Sequence, residues 1–275
     1  MEVADLLNEH GYPFHYAVMR TAEKCVERPR SQRSPWVLEV TEMPVAVGGK
    51  DSRIDFVLKH RSKPHYLLAE CKRVNPAYSS WCFFRSPYHN RNRDFETVTA
   101  EVWDSTEGVP RSGGAHIKPL ADAYHVALPL KSRKKKGDAN GQQADAIEVA
   151  ATQLARHLNG FSAQLSKTPS VLGYDKQVIL FPVLFTTADL FVTDTDLAAA
   201  PVRTGHVDAS QLSVTSVQWL AYQYHVSVSA RGTMPSRRTP MSLGELLDQE
   251  FVRTIFIVNA AGIESFLPYL GAVGD

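Results

Sequence analysis

The chain has 275 residues, 44% of them hydrophobic, and a formal net charge of +1 at pH 7. That is enough apolar material for one large α/β domain or two small ones, and no run is long and apolar enough for a membrane-spanning helix. A charge so near zero does not by itself indicate a nucleic-acid partner, and its local distribution says more. Three cysteines (Cys25, Cys71 and Cys82) give an odd number without close spacing, so neither a disulfide framework nor a zinc knuckle follows. The segment Met1-Glu2-Val3-Ala4-Asp5 is acidic, unlike the basic-then-apolar layout of a signal peptide. The expectation is a cytoplasmic globular protein without a membrane partner.

In chain order, Tyr16 to Val26 reads as a helix with Ala17, Val18, Ala22 and Val26 as its apolar stripe. A strand-like run follows, Trp36-Val37-Leu38-Glu39-Val40, with Glu39 and the nearby Glu42 read as outward-facing. Two short strands come next, Arg53-Ile54-Asp55-Phe56-Val57-Leu58 and Tyr66-Leu67-Leu68-Ala69-Glu70-Cys71-Lys72. The polar stretch between them, Lys59-His60-Arg61-Ser62-Lys63-Pro64, suits a hairpin loop. Tyr78, Trp81, Phe83, Phe84 and Tyr88 are then interleaved with basic residues. They could stack on unpaired bases, but Trp81, Phe83 and Phe84 are better read as a satellite hydrophobic cluster under a long loop.

Tyr124-His125-Val126-Ala127-Leu128-Pro129-Leu130 reads as a strand, and Lys131-Ser132-Arg133-Lys134-Lys135-Lys136-Gly137 as an exposed loop. The strongest helical pattern runs from Gln142 to Leu165, with Ile147, Ala150, Leu154, Leu158, Phe161 and Leu165 on one stripe. Gln153 and His157, four apart, flank that stripe and are either boundary polar residues or groups that reach a site. Val178-Ile179-Leu180-Phe181-Pro182-Val183-Leu184-Phe185 is a continuous apolar run, as expected of a strand covered on both faces. A further strand follows over Ala188 to Thr193, then a polar, irregular stretch over 194–216 whose aspartates read as solvated. The pattern closes with a strand over Trp219 to Val228, a loop over Arg231 to Pro240 and a short amphipathic helix over Ser242 to Phe251. A buried strand over Thr254 to Val258 and a helix over Ile263 to Leu270 complete it. This alternation implies a single mixed α/β domain, with a core over about residues 12–193 and a C-terminal α/β extension over about 194–275.

The hairpin carries the chemistry. If it folds symmetrically about Ser62 and Lys63, Asp55 lies opposite Glu70, with Cβ atoms about 4.5–5.5 Å apart. Strand alternation puts Glu70 and Lys72 on one face and turns Cys71 to the core, where it acts as a small hydrophobe. Opposed like charges destabilise a hairpin, and a hard divalent cation such as Mg²⁺ resolves the conflict. Lys72 would then orient or activate a water for attack on phosphorus. The plainer alternative is a solvated sheet face on which Lys72 makes an ordinary ion pair.

Asp55, followed on the next strand by Glu70-Cys71-Lys72, resembles the core pattern of the PD-(D/E)XK nuclease superfamily, the restriction-endonuclease-like fold. The resemblance covers roughly residues 12–75. It implies a mixed central sheet flanked by helices. It also implies Mg²⁺, with Mn²⁺ able to substitute, held by Asp55, Glu70 and the backbone carbonyl of Cys71, while Lys72 assists the water nucleophile. Members often carry a further Glu on the preceding helix, matched here by Glu23, and a polar residue on the following helix, matched by Gln153. Ile54, rather than Pro, precedes Asp55, a departure that many members share.

Between Arg53 and Arg93 there are nine Lys and Arg, and the only acids are Asp55 and Glu70. Such an excess around a carboxylate pair suits a polyanion. Arg53 and Arg73, with Arg133, Lys134, Lys135 and Lys136 of the basic run, are the candidate phosphate contacts. The reading is a metal-dependent nuclease that hydrolyses phosphodiester bonds, a DNA endonuclease before an RNA-cutting enzyme, with a homodimer as the simplest way to cut both strands. The alternative is a catalytically inactive module of the same fold that binds nucleic acid or a protein partner.

Overall fold

The computed structural model describes Leu7 and residues 11–27, 33–47, 50–75, 79–85, 99–104, 111–116, 123–130, 145–167, 177–226 and 252–272. Helix α1 (Tyr12–Glu27) leads into β1 (Trp36–Val47), β2 (Lys50–His60), β3 (His65–Lys72) and β4 (Ser80–Phe84). Then come β5 (Thr99–Asp104), β6 (Arg111–His116), β7 (Ala123–Tyr124), β8 (Val126–Leu130) and α2 (Asp145–Lys167). The rest comprises β9 (Gln177–Thr186), β10 (Asp189–Thr193), β11 (Thr215–Val217), β12 (Trp219–His225), β13 (Val252–Asn259) and α3 (Ile263–Gly271).

Nine strands form the main sheet, in the order β1-β2-β3-β9-β13-β12-β7, with β5 and β6 attached beside β9. Its first three strands are an antiparallel meander. The β2–β3 pairs run Phe56↔Ala69, Val57↔Leu68, Leu58↔Leu67 and Lys59↔Tyr66, the symmetric register expected from the sequence. The turn is fastened by His60, whose Nδ1 accepts the backbone N–H groups of Ser62 and Lys63 at 3.2 and 3.1 Å. Strand β9 lies parallel to β3 from His65↔Ile179 to Lys72↔Thr186. Its other edge is shared, with β5 antiparallel along Gln177–Leu180 and β13 parallel along Val183–Thr186. Pro182 stands at that changeover, where a missing N–H need not cost a ladder bond. Both β3 and β9 are buried along most of their length, which accounts for their nearly unbroken apolar sequences.

Helices cover both faces of this sheet. On one side Val18, Met19, Ala22 and Cys25 of α1 meet Ile263, Phe266, Leu267 and Leu270 of α3 over Phe56, Leu58, Leu67 and Phe181. The stripe of α1 differs from the sequence reading, because His15 and Met19 are buried while Ala17 is exposed. On the other side lies α2, whose stripe divides. Leu158, Phe161 and Leu165 pack on Val45, Ile54, Val57, Tyr66 and Leu68. Ile147, Ala150, Ala151, Leu154 and Ala155 belong to a cluster with Trp81, Phe83, Leu190, Leu220 and Tyr222. Fully burying each such Leu or Phe contributes about 1.5–3 kcal/mol.

Trp81 and Phe83 are buried as expected, but in a strand and not under a loop. They lie on β4 of a second sheet ordered β11-β10-β4-β8, in which β4 runs parallel to β10. The segment after residue 194, read as an extension, supplies β12 and β13 to the main sheet itself. Within 194–216, Asp196 and Asp208 cap two short 3₁₀ turns by accepting backbone N–H groups two residues on. The fold class is mixed α/β. Among the described residues, no helix is long and apolar enough to cross a membrane. The basic run at 131–137, the loop at 231–240, the helix expected at 242–251, and Tyr78 and Tyr88 lie outside the described residues.

Candidate functional site

The β2–β3 pairing stops at Phe56↔Ala69. One rung further, the register would oppose Asp55 to Glu70, and there the side chain of Asp55 enters the ladder. Its Oδ2 accepts the backbone N–H of Cys71 at 2.6 Å. Burial raises the pKa of Asp55, opposed by the Cys71 N–H and by the nearby His15 and Lys72. Glu70, on β3, is pushed up to about 7, first by burial and then by the charge of Asp55, with Lys72 pulling the other way. The thiol of Cys71 packs against the α1 side of the core, and burial pushes its pKa well up. It is therefore no nucleophile, as the sequence predicts.

Lys72 closes the group. Its Nζ stands 2.6 Å from Glu70 Oε1, and its side chain is 34% exposed against 2% for Glu70. The ammonium can thus be reached from solvent while the carboxylate cannot. The same Nζ donates to Gln153 Oε1 at 3.1 Å, so Gln153 is brought to the motif from α2. One turn on, His157 is fully buried. Its Nε2 is 2.8 Å from Ser52 Oγ and its Nδ1 is 3.5 Å from Glu70 Oε2. This is the order of a Ser–His–acid relay, yet burial and then Lys72 hold the imidazole down at about 4. A base so weak takes little proton from a hydroxyl near neutrality. His157 is therefore a neutral imidazole held by Ser52, with its Nδ1 facing Glu70 Oε2 but not hydrogen-bonded to it.

The helix residue that reaches the carboxylates is His15, not Glu23. Glu23 is exposed and, eight residues further along α1, lies about 12 Å away along the helix axis. His15 Nδ1 is 3.5 Å from Glu42 Oε1, and one donor atom each from His15, Glu42 and Asp55 lie within 4.8 Å of one another. Glu70 is not a member of that group. Glu42 also has φ of 50°, the only positive value at a non-glycine among the described residues. Such conformations concentrate at functional sites.

The signal for Glu42 was present in the sequence. The dipeptide Gly48-Gly49 is a strong hairpin mark. The β1–β2 pairs, from Val47↔Lys50 through Met43↔Ile54 and Thr41↔Phe56, are symmetric about it, which sets Glu42 across from Asp55. His15 had no comparable mark. Of the expected phosphate contacts, Arg53 and Arg73 are exposed at the same end of the hairpin as Lys72. Arg133, Lys134, Lys135 and Lys136 lie outside the described residues. No family model, no curated protein and no solved structure matches this chain.

Proposed function

We propose that this chain is a metal-dependent phosphodiesterase acting on nucleic acid, with DNA as its substrate before RNA. The observation that carries the reading is a half-exposed ammonium, Lys72, 2.6 Å from the buried carboxylate of Glu70, with Asp55 on the adjoining strand. A divalent cation suits these residues. Glu70 Oε2 is buried without a hydrogen-bond partner, and burial raises the proton affinity of both carboxylates, helped at Glu70 by the charge of Asp55. A buried oxygen in that state gains from a hard cation. Asp55, Glu70 and the backbone carbonyl of Cys71 would hold Mg²⁺, or Mn²⁺ in its place.

When bound, such an ion supplies Lewis acidity toward a phosphate oxygen. Lys72, fixed by Gln153, orients the attacking water and offsets the charge that grows on the phosphate oxygens. Arg53 and Arg73 grip the flanking backbone without reading sequence. Glu70 must lose its proton to serve, so occupancy rises with pH through about 7.

A second reading has its own support. Lys72 is held between Glu70 and Gln153, which also fits a module that binds nucleic acid or a protein without chemistry. Incubation with supercoiled plasmid, linear duplex, single-stranded DNA and RNA, with Mg²⁺ or with EDTA, separates the two. Cutting that EDTA stops supports the enzyme, and binding without such cutting supports the module. Lys72→Ala is expected to abolish cleavage and keep DNA retention. Cutting by that variant at the wild-type rate would remove Lys72 from the mechanism.

A further inference from the structure

We propose that the ring of Tyr16 seats an unpaired nucleobase beside the candidate phosphodiester site, so that the chain takes nucleic acid that is unpaired at the point of cleavage in preference to continuous duplex. The inference rests on the phosphodiesterase reading and adds to it the form of the substrate.

Four aromatic rings run in near-parallel planes from the core to the surface. Phe185 of β9 lies on Phe56 of β2, with centroids 6.0 Å apart and planes 16° apart. Phe56 lies on His15 of α1 at 5.8 Å and 19°, and His15 on Tyr16 at 5.5 Å and 11°. All three spacings belong to offset stacking. The first three rings are buried, whereas Tyr16 is 61% exposed. The series therefore ends on a ring that is held from beneath and open to solvent.

A lone exposed aromatic is ordinary on a protein surface. Two features set Tyr16 apart. The first is its place. His15, the ring beneath it, offers a nitrogen within 4.8 Å of a carboxylate oxygen of Asp55, so Tyr16 stands one ring away from that carboxylate. The second is its company. Tyr12, one turn earlier on the same side of α1, is also 51% exposed. Four residues advance about 6 Å along a helix, so the two rings offer successive platforms at the edge of the site.

Stacking decides the form of the substrate. In a duplex both faces of a base are covered by its neighbours, and a side chain reaches one only where the strand is unpaired or the base is turned out. Every base has a π-face, so such a seat selects for an open strand and not for a sequence. The grip on phosphate stays with Arg53, exposed two residues before Asp55 on β2.

The test is equilibrium binding of the full chain in EDTA, which stops metal-dependent cutting. The probes are a dye-labelled single strand carrying a fluorescent purine analogue whose emission falls on stacking, the same strand made abasic, and a blunt duplex of that sequence. Wild type is expected to bind the single strand more tightly than the other two and to quench the analogue. Tyr16→Ala should weaken single-strand binding by about 5- to 100-fold and lose the quench, with binding of the abasic strand and the duplex unchanged. Tyr16→Phe should keep both the affinity and the quench. Tyr16 is exposed, so neither variant disturbs the core, and equal urea midpoints check this. Absence of quench in the wild type overturns the proposal, as does single-strand binding that Tyr16→Ala leaves unchanged or weakens equally on the duplex. A quench that depends on Tyr16, without cutting in Mg²⁺, would sink the phosphodiesterase reading and leave the base seat standing. Cutting in Mg²⁺ that is indifferent to Tyr16→Ala and to strand pairing does the reverse.

Discussion

Replacing Glu70 with Gln should make the protein more stable at alkaline pH in the absence of divalent cations. Glu70 is 1% exposed, and its folded pKa lies at about 7 against 4.5 for an ordinary glutamate. Below 4.5 both folded and unfolded chains carry the proton, and its contribution to stability is complete. Between the two values the unfolded chain has lost the proton while the folded chain keeps it, so stability falls as pH rises. Above about 7 both states are ionised and the contribution is gone. The interval from 4.5 to about 7, at about 1.4 kcal/mol for each tenfold in protonation, amounts to about 3 kcal/mol. Gln keeps the shape and cannot ionise. Urea denaturation in EDTA, followed by fluorescence of the buried Trp36 and Trp81, is to be run from pH 4.5 to 8.5. The wild-type curve should fall below that of Glu70→Gln by about 3 kcal/mol across this range. Parallel curves would refute the assignment of a raised pKa to Glu70, and with it the electrostatic reason for a cation at this site.

Three further outcomes follow from the same geometry. Gln153→Ala removes the 3.1 Å acceptor of Lys72, and cleavage should drop by about 10- to 100-fold, as expected for one hydrogen bond to a charged group. Retention of the wild-type rate would make Gln153 a bystander. Leu68→Ala opens the core between β3 and α2 and should cost about 2–5 kcal/mol in urea denaturation. A Cβ on Gly271 would overlap the ring of Pro35, so Gly271→Ala should lower stability by about 1–3 kcal/mol through the contact of α3 with β1.

The β2–β3 hairpin was legible because both signals agreed: an apolar run on each side and a polar loop centred on Ser62 and Lys63. That agreement set the register, and the register brings Asp55, Glu70 and Lys72 together. Gln153 was legible as a residue flanking the stripe of α2. His157 was read in the same way, but its burial was not, since a histidine beside an apolar stripe gives no sign of which side it takes. Glu42 is exposed on β1, as its sequence suggests, but its place across from Asp55 was not read, because that is set by pairing across Gly48-Gly49 and by a bulge between Leu38 and Val40. Strand β4 was missed because Ser80–Phe84 is too short to show a period, and its partners β10 and β8 are distant in sequence. The placement of β13 beside β9 was likewise beyond local pattern, because a parallel pair leaves no turn between its strands to read.

The last cross-strand bond of the β2–β3 hairpin passes through a side chain, from the Cys71 amide to Asp55 Oδ2. Protonating Asp55 strips the charge from that acceptor and weakens its hold on the amide, so fraying of the strand end and the state of the carboxylate are coupled. Deuterium uptake at Cys71 is then a gauge of Asp55, requiring no label and no substrate. The hairpin is a zip whose final tooth is an acid, and whatever seizes the acid sets how far the zip closes.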